Sequence, residues 1–398
     1  MRYRSFALVS GAAIVALVAL VLHHDSDDVV VGLPPPPACE PDAADLNPDN
    51  RRIAPSRGKP LVERRGGHMP FGFNDSAYLV GELTLDRTLE LDHAAGATLW
   101  RLPLDWGAVE REPGELDFSR YDEIYCAAVR AGVSPVFHLT GIPAWAAPSG
   151  ECPDPCLRPP EDEHLPALRR FAEITAIRYP RAAAIEVWNE PNLPVFWGGL
   201  ADPAKYLPLL EAIYGGVKDG NPGMPVIGGV LSNNPTDIAD KLSLGTYLAG
   251  MLEGGAARYM DGFSLHAYPI QPLGTEGEQF TPPLELSREL LDRAAAGIRI
   301  WVTEVGAPTA PGAFHPEVSL AGQAALMSGV YRRLDEDGGA DAVLFHTLVD
   351  PGPLVPGGPG FGFFTAPDAS GTVTTKPVVC AVRLASGQDG DCPPAVAP

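Results

Sequence analysis

The sequence predicts an α/β protein built as a closed (β/α)8 TIM barrel, and three observations carry that expectation. Eight short apolar runs recur between about residue 68 and residue 350. Amphipathic segments with apolar residues at helical spacing separate many of them. The runs are too continuously apolar to alternate in and out, which is the mark of parallel strands covered on both faces. An open doubly wound sheet is the competing architecture, but it usually carries a glycine-rich ligand loop such as GxGxxG after an early strand, and none is evident.

The strands are expected at 68–74, 97–106, 133–139, 183–190, 225–230, 261–268, 298–306 and 342–350. Helices are expected at 83–97, 118–132, 164–180, 203–218 and 319–338. The barrel is therefore placed at 67–388, with a short tail at 389–398. Residues 24–66 read as a Pro-rich, turn-rich linker, with Pro34 to Pro37 as an extended spacer, although a strand or two could lie within it.

Residues 1–23 are set apart from the fold. Arg2 and Arg4 precede an apolar run from Phe6 to Leu22 broken only by Ser10 and Gly11, and acidic residues follow. Positive charge before such a run and acid after it is the export pattern. The run is long for a signal-peptide core, about 7–15 residues, and no small-x-small cleavage site follows it, so an uncleaved anchor is favoured over a cleaved signal. The expected location is extracytoplasmic, either membrane-anchored or secreted.

Of 398 residues, 45% are hydrophobic and 20% charged, which is ample for a large core. The net charge of -21, from 29 basic and 50 acidic residues, repels phosphates and argues against a nucleic-acid partner. Six cysteines fit an oxidising compartment. Cys152 and Cys156 bracket a turn-rich "PDP" and are expected to form a small disulfide; a metal site there lacks a second Cys/His pair. Cys126 reads as a buried thiol within a helix, and the remaining pairings stay open.

The polar residues at the strand ends carry the functional reading, because catalytic groups of such barrels gather at the C-terminal face. Arg101 follows "TLW", His138 follows "PVF", Asn189 and Glu190 follow "IEVW", His266 and Tyr268 lie at and after "FSLH", and Glu304 follows "IWVT". Glu190 and Glu304 end the fourth and seventh strands, so both carboxylates can face one central cleft. A pair of this kind suits glycoside hydrolysis, in which one carboxyl donates a proton and the other stays ionised. His93, His164, His315 and His346 look unremarkable, and no histidine cluster suggests a metal or other cofactor.

"WNEPN", then "SLHAYP", then "IWVTEVG", together with "WRLPLDWGAVEREPGELDFSRYD", resemble the retaining glycoside hydrolases that carry acid/base and nucleophile on strands four and seven, and family 39 xylosidase-like and family 5 cellulase-like members in particular. The resemblance covers most of residues 68–386, including a last helix near the C-terminus. It implies Glu190 as acid/base, Glu304 as nucleophile, Asn189 on the sugar 2-hydroxyl, Tyr268 on the nucleophile, His266 lining the site and Arg101 keeping Glu304 ionised. Trp145 and Trp197 would offer aromatic faces to a sugar. Each residue also has a plainer reading: an ion pair for the glutamates, a strand cation for Arg101, core packing for His138 and both tryptophans.

Many such enzymes carry a tryptophan near the end of strand eight, where this chain has His346 and Asp350. The expected activity is hydrolysis of β-linked carbohydrate without a cofactor. Transglycosylation, or a barrel that binds carbohydrate without cutting it, are the alternatives. The segment from Pro269 to Pro283 and the Cys152 loop are the expected walls of the cleft.

Overall fold

The computed structural model describes residues 37, 39, 55, 57, 59–148, 156–269, 281–295, 297–311, 317–336, 339–351 and 360–388. The Phe6–Leu22 run, Cys152, His315 and most of the Pro269–Pro283 loop lie outside them.

Eight parallel strands close into a barrel in sequence order: β1 (Phe71–Asn74), β2 (Leu99–Asp105), β3 (Ser134–Thr140), β4 (Ala184–Val187), β5 (Val226–Ser232), β6 (Gly262–His266), β7 (Arg299–Val305) and β8 (Ala342–Phe345). Closure is made where β1 pairs with β8, with Phe71 opposite Val343 and Phe73 opposite Phe345. All eight expected strands are present; most are shorter than their apolar runs, while β3 is shifted by one residue at the same length and β5 runs two residues further. The ends of the runs are where the chain leaves the hydrogen-bonded ladder to present side chains.

One main helix follows each strand: α1 (Leu85–Ala95), α2 (Ser119–Arg130), α3 (Leu165–Arg178), α4 (Pro203–Gly220), α5 (Leu244–Glu253), α6 (Thr281–Ala294), α7 (Leu320–Glu336) and α8 (Pro377–Ala385). Their starts follow capping chemistry. The side chains of Thr84, Asp202 and Ser243 accept hydrogen bonds from the backbone N–H of Arg87, Ala204 and Thr246. Gly96 ends α1 at φ 80°, a left-handed conformation that favours glycine. Gly216 lets α4 lie against α3, since a Cβ there would come within 2.0 Å of the Arg169 carbonyl oxygen.

The periodicity passed over α5 and α6 for physical reasons. Gly245 and Gly250 lower the helical propensity of α5. Pro282 and Pro283 read as breakers, yet they sit in the first turn of α6, where the missing N–H costs nothing.

The last part of the segment read as linker belongs to the packed structure. Leu61 and Val62 lie against a core cluster at the N-terminal mouth of the barrel that includes Leu99, Val136, Ile227, Trp301 and Leu344. The backbone N–H of Leu61 donates to Asp341 Oδ2 at 2.9 Å. Cys126 is no thiol: it is bonded to Cys39, tying that part of the Pro-rich segment to α2 across 87 residues of sequence. Separations of that order contribute about 4 kcal/mol by restricting the unfolded chain. Cys156 and Cys380 are also disulfide-bonded. Among the described residues no helix is long and apolar enough to cross a membrane.

Asp92, on the inner face of α1, is fully buried, and neither carboxyl oxygen has a hydrogen-bond partner among the described residues. Burial, and then the charge of Asp75, hold its pKa well above the ordinary carboxylate range. The folded chain thus keeps a proton that the unfolded chain loses above about pH 4. Its contribution to stability is complete below that pH and is lost as pH rises toward the folded pKa. The Asp92→Asn variant should therefore gain on the wild type as pH rises, with a melting-temperature difference that widens from pH 4 to pH 8 in scanning calorimetry. A difference independent of pH would show that Asp92 does not fold protonated.

Candidate active site

A buried cation from β2 organises the C-terminal end of the barrel. Arg101 is 1% exposed and makes four side-chain hydrogen bonds to groups on three other strands or their ends. Its Nε donates to Glu186 Oε2 on β4, and its Nη2 to Asn189 Oδ1 just beyond β4 at 2.9 Å. Its Nη1 donates both to Asn74 Oδ1 on β1 at 2.9 Å and to Glu304 Oε1 on β7 at 2.8 Å. Burial acts to lower the guanidinium pKa, but Glu186 and Glu304 outweigh it, so the group stays charged.

Glu304 is the residue this network serves. Burial would raise its carboxyl pKa, but His266, Arg101 and His346, together with a hydrogen bond from Tyr268, hold it down to about 2. The Tyr268 hydroxyl donates to Glu304 Oε2 at 2.9 Å. Burial first, then the Glu304 charge, push the phenol pKa well up, so it remains a donor. Tyr268 is held through its carbonyl, which accepts from Asn233 Nδ2 at 2.7 Å.

His266 joins the two carboxylates. Its Nδ1 lies 2.8 Å from Glu190 Oε1 and 3.5 Å from Glu304 Oε2, and the ring is fully buried. The two glutamate side chains are 13% and 15% exposed, while Arg101 and His266, which touch them, are sealed. The carboxylates, with Asn189 and Tyr268, are thus among the groups that stay partly open at this end of the barrel.

Glu190 reaches this position through local strain. Trp188 and Glu190 have φ of 70° and 40°, conformations rare outside glycine, and a left-handed Val230 (φ 51°) faces them from a bulge in β5. The Glu190 N–H donates to the Val230 carbonyl at 2.9 Å. Asn192, fully buried, clamps the same junction. Its side chain donates to the carbonyls of Ser232 and Leu242 and accepts from the Ser232 N–H at 3.0 Å. The "WNEPN" turn is therefore held as much by β5 as by β4.

The structure brings Arg101, Asn189, Glu190, His266, Tyr268 and Glu304 together. His138 lies beneath them on β3, 8% exposed. Burial, followed by the positive charges of Arg101 and His266, lowers its pKa well below the usual histidine value, so it is neutral. The tryptophans stand apart. Trp197 does not meet its expectation as an aromatic face for a sugar, because it is 4% exposed and packed between Trp188 and Tyr206. Trp145 is half-buried, set edge-on to Trp106 and His164, with its indole N–H on the Glu110 carbonyl.

Sequence reading missed Glu186, Asn74, Asn192 and His346. A charge inside the apolar run "AIEVW" was the available signal for Glu186, since a buried carboxylate demands a cation. His346 is not unremarkable: it follows β8, its ring centroid lies 6.1 Å from that of Tyr268, and its Nδ1 is 3.5 Å from Asn74 Nδ2. Asp350, in contrast, pairs with Lys376 at 2.7 Å and braces the loop after β8 against α8.

Solved glycoside hydrolases superpose on this architecture. A family 39 glycoside hydrolase from Bacteroides cellulosilyticus WH2 superposes with a TM-score of 0.62 at 22% identity, over 81% of this chain and 65% of that one. A monomeric beta-xylosidase from Caulobacter crescentus CB15 gives 0.60 at 20% identity, over 82% and 69%. Native xylanase 10B from Thermotoga maritima gives 0.55 at 16% identity, over 81% and 95%. The likeness establishes the fold. This chain spans just under two thirds of the first of these structures. No protein-family model and no curated protein matches the sequence.

Removing Arg101 should expose how far the barrel interior depends on it. The Arg101→Met variant leaves Glu186 as an uncompensated buried charge and should lose about 3–5 kcal/mol in urea unfolding. Adding Glu186→Leu should recover at least half of that loss. A double variant as unstable as the sum of the two single changes would show that the ion pair is not the source.

Proposed function

We propose that the chain is a retaining glycosidase that hydrolyses O-glycosidic bonds of β-linked glycosides or glycans by double displacement. The observation that carries this reading is the Glu190–His266–Glu304 arrangement. Since one histidine nitrogen lies 2.8 Å from one carboxylate oxygen and 3.5 Å from the other, those two oxygens are no more than about 6.3 Å apart. Carboxyl groups in retaining enzymes are about 5–5.5 Å apart, and in inverting enzymes about 6.5–9.5 Å, where a water must fit between.

In this reading Glu304 attacks the anomeric carbon while Glu190 gives its proton to the departing glycosidic oxygen, forming a glycosyl ester and a free alcohol. Water then attacks the anomeric carbon, Glu190 takes its proton, and the ester bond to Glu304 breaks. A carboxylate held ionised by His266, Arg101 and Tyr268 suits the first role. Glu190, which lacks a guanidinium partner among the described contacts and hydrogen-bonds a histidine, suits the second. Asn189, oriented by Arg101, is placed for the sugar hydroxyl beside the anomeric centre. The glycoside hydrolase neighbours support the class of reaction and leave the sugar to experiment.

We further infer that the barrel works outside the cytoplasm, held by the N-terminal apolar segment. The disulfides at Cys39–Cys126, Cys156 and Cys380 support an oxidising compartment.

The Glu304→Gln variant should melt at the wild-type temperature and retain less than about 1% of wild-type kcat on any aryl β-glycoside the protein cleaves. A folded variant with greater activity would remove Glu304 from the nucleophile role. The Glu190→Ala variant should be rescued by azide, giving a glycosyl azide of retained β configuration by proton NMR. An α-azide would mean single displacement and overturn retention.

A further inference from the structure

The N-terminal mouth of the barrel, at the end opposite the carboxylates, inverts the charge balance of the chain. A cavity of about 460 Å³ opens there between the starts of four strands: Pro70, Thr98 and Ala183 stand just before the first residues of β1, β2 and β4, and Ser134 is the first residue of β3. A second cavity of about 670 Å³ adjoins it, sharing Arg65, Pro70 and Thr98, and borders the ends of α1, α2 and α8. Together their walls carry three guanidinium groups, from Arg65, Arg181 and Arg383, and the imidazoles of His68 and His93, against one carboxylate, that of Glu63. The chain as a whole has 50 acidic residues to 29 basic ones, so a chance sample of its surface would be acidic.

The basic residues of the mouth fall into two groups. Arg383 donates to the Ala94 carbonyl at 3.1 Å and so serves the end of α1, and His68 lies 2.9 Å from Asp335. Arg64, beside the mouth, is paired with the same aspartate. Arg65 and Arg181, both exposed, make no side-chain hydrogen bond or ion pair among the described residues. These two line the 460 Å³ cavity together, and Thr98 and Ser134 add hydroxyls to its wall. The Thr98 hydroxyl likewise has no hydrogen-bond partner among the described residues. Two unpaired guanidinium groups at one concave site repel each other unless an anion lies between them, and their planar forks match the oxygens of a phosphate. The volume falls within the roughly 300–1,000 Å³ range of small-ligand pockets, enough for a phosphorylated headgroup.

The place of this cavity in the chain names the source of the phosphate. Leu61 and Val62, which line it, end the segment that leads in sequence from the apolar run at Phe6–Leu22. Upstream of them Cys39 is bonded to Cys126, about one turn from the end of α2, and Ala131 and Gly132, which follow that helix, line the adjoining cavity. Both attachments of the incoming segment therefore lie toward this end of the barrel. An anionic membrane surface repels the acidic remainder of the molecule and attracts this end.

We propose that the N-terminal mouth is a phosphate-binding site for the headgroup of an anionic phospholipid, held between Arg65 and Arg181, so that the barrel stands on the membrane with its carboxylate cleft facing away. The lipid source rests on the membrane anchor inferred above, whereas the phosphate site rests on the two arginines.

The test titrates the full chain, in a zwitterionic detergent, with dioctanoyl phosphatidylglycerol, dioctanoyl phosphatidylcholine or inorganic phosphate, and follows the melting temperature by tryptophan fluorescence. The wild type is compared with the Arg65→Gln, Arg181→Gln double variant and with Lys205→Gln, which removes an exposed cation from the start of α4 at the opposite end of the barrel. Phosphatidylglycerol should raise the melting temperature saturably, by about 2–4 °C, in the wild type and in Lys205→Gln. In the double variant the midpoint concentration should rise at least about tenfold. No rise with phosphatidylglycerol overturns the site, and so does a rise that the double variant keeps at the wild-type midpoint. Phosphatidylcholine acting as strongly as phosphatidylglycerol overturns the selection by charge. Inorganic phosphate acting through the same arginines at concentrations no higher than the lipid overturns the membrane source and leaves a site for a soluble phosphate. The anchor is tested apart from this by cell fractionation: release of the barrel as a shortened soluble protein overturns the anchor and leaves the titration unchanged.

Discussion

A single guanidinium allows this barrel to hold two carboxylates side by side in its interior. Arg101 joins Glu186, which is completely buried, to Glu304, which faces the cleft, and also fixes the amides of Asn74 and Asn189. An unpaired carboxylate in that setting would take up a proton rather than remain ionised. With His266 and then Arg101 beside it, Glu304 is held as an anion, its carboxyl well below the ordinary range. Glu186 has its own consequence: by binding the far side of the guanidinium it fixes the orientation in which the remaining N–H groups meet Glu304 and Asn189.

The second constraint is backbone strain concentrated at one junction. Three residues other than glycine adopt left-handed conformations where β4 ends and β5 bulges, each at a cost of about 1–3 kcal/mol. The surrounding hydrogen bonds hold them there. Val230 accepts from the Glu190 N–H, and Asn192 binds the β5 strand end and the following loop from a position sealed from solvent. The strain delivers Glu190 to the nitrogen of His266, a residue two strands away. A relaxed continuation of β4 would carry the carboxylate along the strand and away from the centre.

The two halves of the cleft differ in chemistry. Toward β4 lie Glu190 and its strained turn; toward the β8–β1 seam lie His346, Phe361 and a pocket braced by Asp75. Asp350 and Lys376 brace the same region from outside, pairing the β8 loop with the start of α8.

The sequence alone determined the architecture and pointed to the polar residues that meet at the strand ends, because both are written in local patterns. Eight apolar runs too continuous to alternate specify parallel strands covered on both faces, and a polar residue at the end of such a run has the cleft as its natural destination. Arg101, Glu190, His266, Tyr268 and Glu304 were legible for that reason. Tertiary structure decided what those patterns cannot encode. The partners of Arg101 lie 85 and 203 residues away, and Cys39 is 87 residues from Cys126. Trp197 and His346 changed places in importance, because whether an aromatic ring faces solvent or core depends on what packs over it. Glu186 was hidden within a strand that otherwise reads as core. Local spacing reports which face of an element a residue occupies, whereas pairing, burial and strain arise only when distant elements meet.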